Sequence, residues 1–161
     1  MDIMDESLLE FWKTLNSFGV KYIMVGGVAV NLHGFSRMTK DIDIWINDTN
    51  ENRGKLGLAF AQFGYEDLNL EEFQFIPGWT DFHIGPGLKL DVLIKMVGLE
   101  GYSFAECLEV ASIAEIEGVL IPFLQINQLI ANKKAVNRSK DQVDVIELEN
   151  IIRVSKDLNL L

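Results

Sequence analysis

VGGVAVNLHGFSRMTKDIDIWI, residues Val25 to Ile46, decides how this chain is read. It contains two aspartates, Asp41 and Asp43, one residue apart in an otherwise apolar run. A carboxylate withdrawn from water costs several kcal/mol unless something pairs with it, so the pattern needs a reason. Asp41 to Ile46 alternates strictly, which predicts a strand with Ile42, Ile44 and Ile46 on one face and Asp41, Asp43 and Trp45 on the other. Acids at i and i+2 of a strand point the same way with Cα atoms about 6.5–7 Å apart, a spacing that lets two carboxylates converge on divalent ions. Upstream, Gly26-Gly27 sits where a strand, Lys21 to Val25, gives way to a short helix ended by Gly34. Glycine there lets the backbone approach a phosphate while the helix start offers free N–H groups.

Working outward, Ser7 to Phe18 reads as an amphipathic helix with Leu8, Leu9, Phe11, Trp12, Leu15 and Phe18 as its stripe, stopped by Gly19. Asn47 to Asn50 forms a turn and cap before a helix from about Glu51 to Phe63. Gly64 to Gly78 reads as irregular or briefly helical. Thr80 to Ile84 and Leu88 to Ile94 form a hairpin around Gly85-Pro86-Gly87, with Asp91 the one acid of its second strand. Asp91 is thus the candidate third carboxylate, although Lys89 or Lys95 would also serve it as a simple ion-pair partner. Tyr102 to Leu108 reads as a short helix, followed by short extended pieces up to Pro122. Two helices close the chain, about Leu124 to Val136 and Ser139 to Leu158, the second with a capping box of Ser139 and Gln142.

At 161 residues and 48% hydrophobic, the chain suits one domain with a proper core: an α/β (α+β) core over about 20–122 and C-terminal helices over about 123–161. Its apolar runs fall short of a membrane span, its acidic N-terminus lacks the pattern of a secretory signal, and its single cysteine, Cys107, supports neither a disulfide nor a metal cluster. A cytoplasmic location is expected. The net charge of −10 argues against extended nucleic-acid binding but not against a small anion held through a divalent cation. No GxxxxGK[ST], GxGxxG or HExxH occurs, and DIDIWINDTNEN lacks the central glycine of a calcium loop.

The stretch VGGVAVNLHGFSRMTKDIDIWI resembles the signature of the nucleotidyltransferase superfamily with a DNA polymerase beta-like core, and HG-x-x-R-x-T-x-DID is similar to small bacterial members related to abortive-infection and toxin–antitoxin nucleotidyltransferases. KKAVNRSKDQVDVIEL resembles their final helices. The resemblance is strongest over residues 22–46, 88–95 and 129–148 and implies a mixed β-sheet flanked by helices. It implies that Asp41, Asp43 and Asp91 are catalytic and hold two magnesium ions. Gly26, Gly27, Arg37, Thr39, Lys133, Arg138 and Lys140 would bind the nucleoside triphosphate. The implied reaction transfers a nucleotide from an NTP to an acceptor hydroxyl on a small molecule, protein or RNA end. Many active members carry Ser where this chain has Gly27, so the alternative is a weak or inactive binding protein, such as half of a toxin–antitoxin-like pair, with a homodimer or small protein partner.

Other residues keep plainer readings beside functional ones. The DxD pair also fits solvated acids on an open strand face, and the basic run from Lys133 to Lys140 fits a solvated helix–helix junction. His33 reads as a cap or packing residue, His83 as a hairpin residue beside the cleft, and Trp12 as core. Trp45 is shared between pocket and packing, and Trp79 is a candidate stacking ring.

Overall fold

The computed structural model describes residues 5–76 and 82–159. Trp79 and Thr80 lie outside the described residues. Helix α1 (Glu6–Ser17) starts one residue earlier than its apolar stripe suggests, because the Asp5 carboxylate accepts the Ser7 and Leu8 N–H groups at 2.8 and 3.4 Å. Its inward face carries Leu8, Phe11, Trp12 and Leu15, all fully buried, with Trp12 stacked on Tyr22.

Strand β1 (Tyr22–Val25) is buried throughout and leads without a loop into α2 (Gly26–His33). Gly26 makes that corner at φ +68°, a conformation that side chains resist. Strand β2 (Asp41–Ile46) matches its sequence expectation, with Ile42, Ile44 and Ile46 fully buried. Thr49 caps α3 (Asn50–Ala61), and its neighbour Asn52 fills a buried site by bonding the Lys21 N–H and the Lys21 and Asn47 carbonyls.

Strands β3 (Phe82–Gly85) and β4 (Leu88–Leu93) form the expected antiparallel hairpin. After α4 (Phe104–Glu109), the short extended pieces are a second hairpin, β5 (Ser112–Ile116) and β6 (Val119–Phe123). Its two-residue turn, Glu117-Gly118, has both residues at positive φ (50° and 80°), the geometry that matches strand twist. The sheet order is β3-β4-β2-β1-β6-β5, with β1–β2 antiparallel and β2–β4 and β1–β6 parallel. The sheet is therefore mixed and flanked by helices, as expected.

Helices α5 (Ile126–Val136) and α6 (Ser139–Asp157) form the C-terminal helical part. Asn137, left-handed at φ 58°, ends α5 and turns the chain sharply. The expected Ser139–Gln142 capping box is displaced by one residue: Arg138 is the N-cap and the Asp141 carboxylate accepts its N–H at 3.0 Å. An aspartate at the third helical position reaches back to that donor and also meets the positive helix end.

Candidate active site

The β2–β4 register decides where the acids meet. Asp43 and Asp91 are direct Cα partners on adjacent parallel strands, so both carboxylates leave the same face about 4.8 Å apart at the backbone. They line one cleft of about 320 Å³, together with Gly26, Lys95, Lys133 and Arg138. Gly26 is fitted to this cleft: a Cβ there would lie 2.3 Å from Asp43 Oδ2. The bare backbone at the start of α2 thus abuts the carboxylate.

Asp41 sits differently. It is exposed at the start of β2 and lines a separate hollow of about 580 Å³ with Thr39, Lys40 and Lys89. Lys89 is its Cα partner across the strand pair. Among the described residues no three His, Cys, Asp or Glu side chains gather closely enough to hold a metal ion as they stand. The acids are nevertheless within electrostatic reach of one another.

Burial first, and then the charges of Asp91 and Asp41, raise the Asp43 carboxyl to about 6 against the opposing pull of Lys133 and Lys140. Such a group gains from a cation placed among the three acids. The donor set is all oxygen, which suits magnesium.

Thr39 and Arg37 cover the second glycine. A Cβ on Gly27 would lie 2.6 Å from Thr39 Oγ1 and 3.3 Å from Arg37 Nη1. Gly27 therefore lacks a side chain because Thr39 fills the space. The Thr39 hydroxyl donates to the Asp41 carbonyl at 3.3 Å, tying this cover to the DxD strand.

The basic residues depart most from the sequence reading. Lys133 is not part of a solvated junction: its side chain is 5% exposed and its Nζ lies 3.2 Å from Asp141 Oδ1 and 3.1 Å from Asp144 Oδ2. Asp144 also receives Arg37 through two bonds, Nε at 2.6 Å and Nη2 at 2.8 Å. Asp141 receives Arg138 through Nε at 2.7 Å and Nη2 at 3.2 Å. The result is a linear array, Arg37–Asp144–Lys133–Asp141–Arg138, with both aspartates fully buried. Burial works to raise the Asp141 carboxyl, but the Arg138 bonds and Lys133 outweigh it and hold it at about 2. Lys134 is exposed and pairs with Glu149, and Lys140 is exposed.

Sequence reasoning missed Asp141 and Asp144. The available signal was position: 141, 144 and 148 follow the i, i+3, i+7 spacing of an inward helical face, and Leu148 is fully buried on it. Two acids on such a face call for cations.

Of the remaining candidates, His33 and Trp45 settle into packing. His33 Nε2 donates to the Leu124 carbonyl at 2.7 Å beside the Phe123 ring, and burial lowers its basicity despite that bond. His83 is exposed on β3. Trp45 is buried edge-on against Phe104 and does not line the cleft.

The chain is similar to an antigenic nucleotidyltransferase-like protein from Paracoccidioides brasiliensis, with TM-score 0.56 and 17% identity over 92% of this chain and 73% of that one. The fold is nucleotidyltransferase-like. A candidate nucleotidyltransferase from Thermotoga maritima has TM-score 0.54 and 16% identity, covering 96% of this chain and 91% of its own. The antibiotic-resistance factor ANT(2″)-Ia, determined in solution, has TM-score 0.50 and 16% identity over 99% and 98% of the two chains. No protein-family model matches the sequence, and no curated protein matches it. The nucleotidyltransferase-like sheet carries Asp41, Asp43 and Asp91 on its adjacent parallel strands β2 and β4, and no described helix is long and apolar enough to cross a membrane.

Proposed function

We propose that this chain is a magnesium-dependent nucleotidyltransferase, moving a nucleoside monophosphate from an NTP to the hydroxyl of an acceptor such as a small molecule, protein or RNA end. The observation that supports it most is the facing pair Asp43 and Asp91, in a cleft walled by the start of α2 on one side and by Lys133 and Arg138 on the other. Asp41, Asp43 and Asp91 would hold two magnesium ions. Gly26 and Gly27 bring backbone N–H groups to the triphosphate, and Thr39 places a hydroxyl over the same turn. Lys133, Arg138, Arg37 and Lys140 offset its charge. Asp91 orients the acceptor hydroxyl and receives its proton as the oxygen attacks the α-phosphorus and pyrophosphate leaves. Magnesium, when bound, supplies neutralising charge at the attacking and leaving oxygens. A reaction on NTPs suits a cytoplasmic setting, and the acidic surface favours a compact acceptor over extended nucleic acid.

A second reading, a nucleotidyltransferase fold retained for binding as half of a two-protein module or a homodimer, draws on one observation: Asp41 faces a hollow apart from the Asp43–Asp91 cleft. Thermal-shift measurements with each of the four NTPs, with and without magnesium, test the first reading. At least one NTP should stabilise the wild type only with magnesium, and Asp43→Ala should remove the response. No response to any NTP, or an equal response in the variant, sinks it. Magnesium-dependent binding without pyrophosphate release on any acceptor offered would favour the second.

A further inference from the structure

The five-residue array holds more order than nucleotide binding by a lysine requires. Lys133 is central to it, and an ammonium group has three N–H bonds in tetrahedral directions. One bonds Asp141 Oδ1 at 3.2 Å and the ammonium pairs with Asp144 Oδ2 at 3.1 Å, while Lys133 also lines the cleft that contains Asp43 and Asp91. Each aspartate is also gripped through both of its oxygens by an arginine fork, so neither can follow the ammonium if it swings. Lysine is a flexible point-charge donor on a four-carbon stem. Here its freedom is removed by two carboxylates that never reach solvent.

We infer that Asp141 and Asp144 are positioning residues that hold the Lys133 ammonium between them and leave an N–H directed to a phosphoryl oxygen in the cleft. This rests on the nucleotide-binding reading above. The array also joins the two ends of the site. Arg37 comes from the segment covering Gly27, Lys133 from α5, and Asp141 and Asp144 from α6. The C-terminal helices therefore set where the cation stands relative to the start of α2.

A purely structural array predicts something different: loss of Asp144 would weaken the fold and leave the affinity of the folded molecules unchanged. Calorimetric titration with each NTP plus magnesium, at a temperature where every variant is folded, separates the two. Asp144→Asn keeps the shape and removes the charge. Asp141→Asn is the second variant, since its partner Arg138 is 57% exposed and can return to water. Each should weaken binding by about tenfold to a hundredfold, the scale of a misplaced binding group. Lys133→Met should weaken it similarly, and Lys133→Met combined with Asp144→Asn should lose no more than Lys133→Met alone. Wild-type affinity in both aspartate variants, or losses that multiply in the double variant, overturns the inference while leaving the nucleotide reading intact. If the wild type binds no NTP, the nucleotide reading fails and the inference falls with it.

Discussion

Replacing Asp43 with asparagine should make this protein more stable at neutral pH. Asp43 is a carboxylate with its ionised form disfavoured by burial and by Asp91 and Asp41, and its folded pKa stands at about 6 against an ordinary 3.8. Between those two values the folded state keeps a proton that the unfolded chain has released. Stability therefore falls as pH rises through that window and levels off above it. A displacement of about two units is worth roughly 3 kcal/mol, which is a ceiling because Asp43 is only part-buried. Asp43→Asn keeps the shape and removes the charge, so it should gain about 2–3 kcal/mol at about pH 7.5 and almost nothing at about pH 3.5. For a chain of this size the gain corresponds to a Tm rise of roughly 5–10 °C. Urea unfolding and thermal melts of both proteins, at both pH values and without divalent ions, read it directly. A variant no more stable than wild type near neutrality, or one whose advantage persists undiminished in acid, refutes the electrostatic account.

Two further predictions test the cover over α2 and the buried array. Gly27→Ala should cost about 1–3 kcal/mol by overpacking, because the new Cβ meets Thr39 Oγ1 and Cβ at 2.6 and 2.9 Å, and Thr39→Gly should recover most of it in denaturant melts. An unchanged midpoint in the single variant would show that Thr39 yields freely. Asp141, held at about 2, contributes stability that is present above the ordinary carboxylate value and lost as pH falls from about 4 to about 2. The stability difference between wild type and Asp141→Asn should therefore narrow over that acid window, and a constant difference would contradict the charge-based origin of the shift.

The parts of the molecule legible in the sequence are those where one periodicity acts alone. Asp41 to Ile46 alternates without exception, and its strand appears with the expected bounds because three isoleucines must share one buried face. Asp91 was found through its hairpin, and its pairing with Asp43 follows from β4 lying parallel beside β2, a long-range arrangement that no local pattern specifies. The β5–β6 hairpin was harder to see because its turn is Glu117-Gly118. Glutamate rarely takes positive φ, so the usual Asn-Gly or Asp-Gly signal is missing. The burial of Lys133 is hidden for the opposite reason. Its burial depends on Asp141 and Asp144, which charge alone marks as surface residues, and only their spacing with Leu148 reveals the inward face.

On the proposed reading, the same charges favour a nucleotide held through a metal over one held by this chain's own cations, in a protein of net charge −10. The array contains three cations against two buried aspartates, which leaves one positive charge facing Asp43 and Asp91. A triphosphate carries more negative charge than that surplus can offset, and the two carboxylates oppose it further. On the proposed reading, divalent cations held by the carboxylates would ease both conflicts, offsetting the burial and repulsion that raise the Asp43 pKa and supplying positive charge to the triphosphate. The instability predicted for ionised Asp43 is thus, on the proposed reading, the source of metal affinity. Asp43→Asn should gain stability and lose the magnesium-dependent nucleotide response in one step, the trade-off expected where a strained site is kept for function.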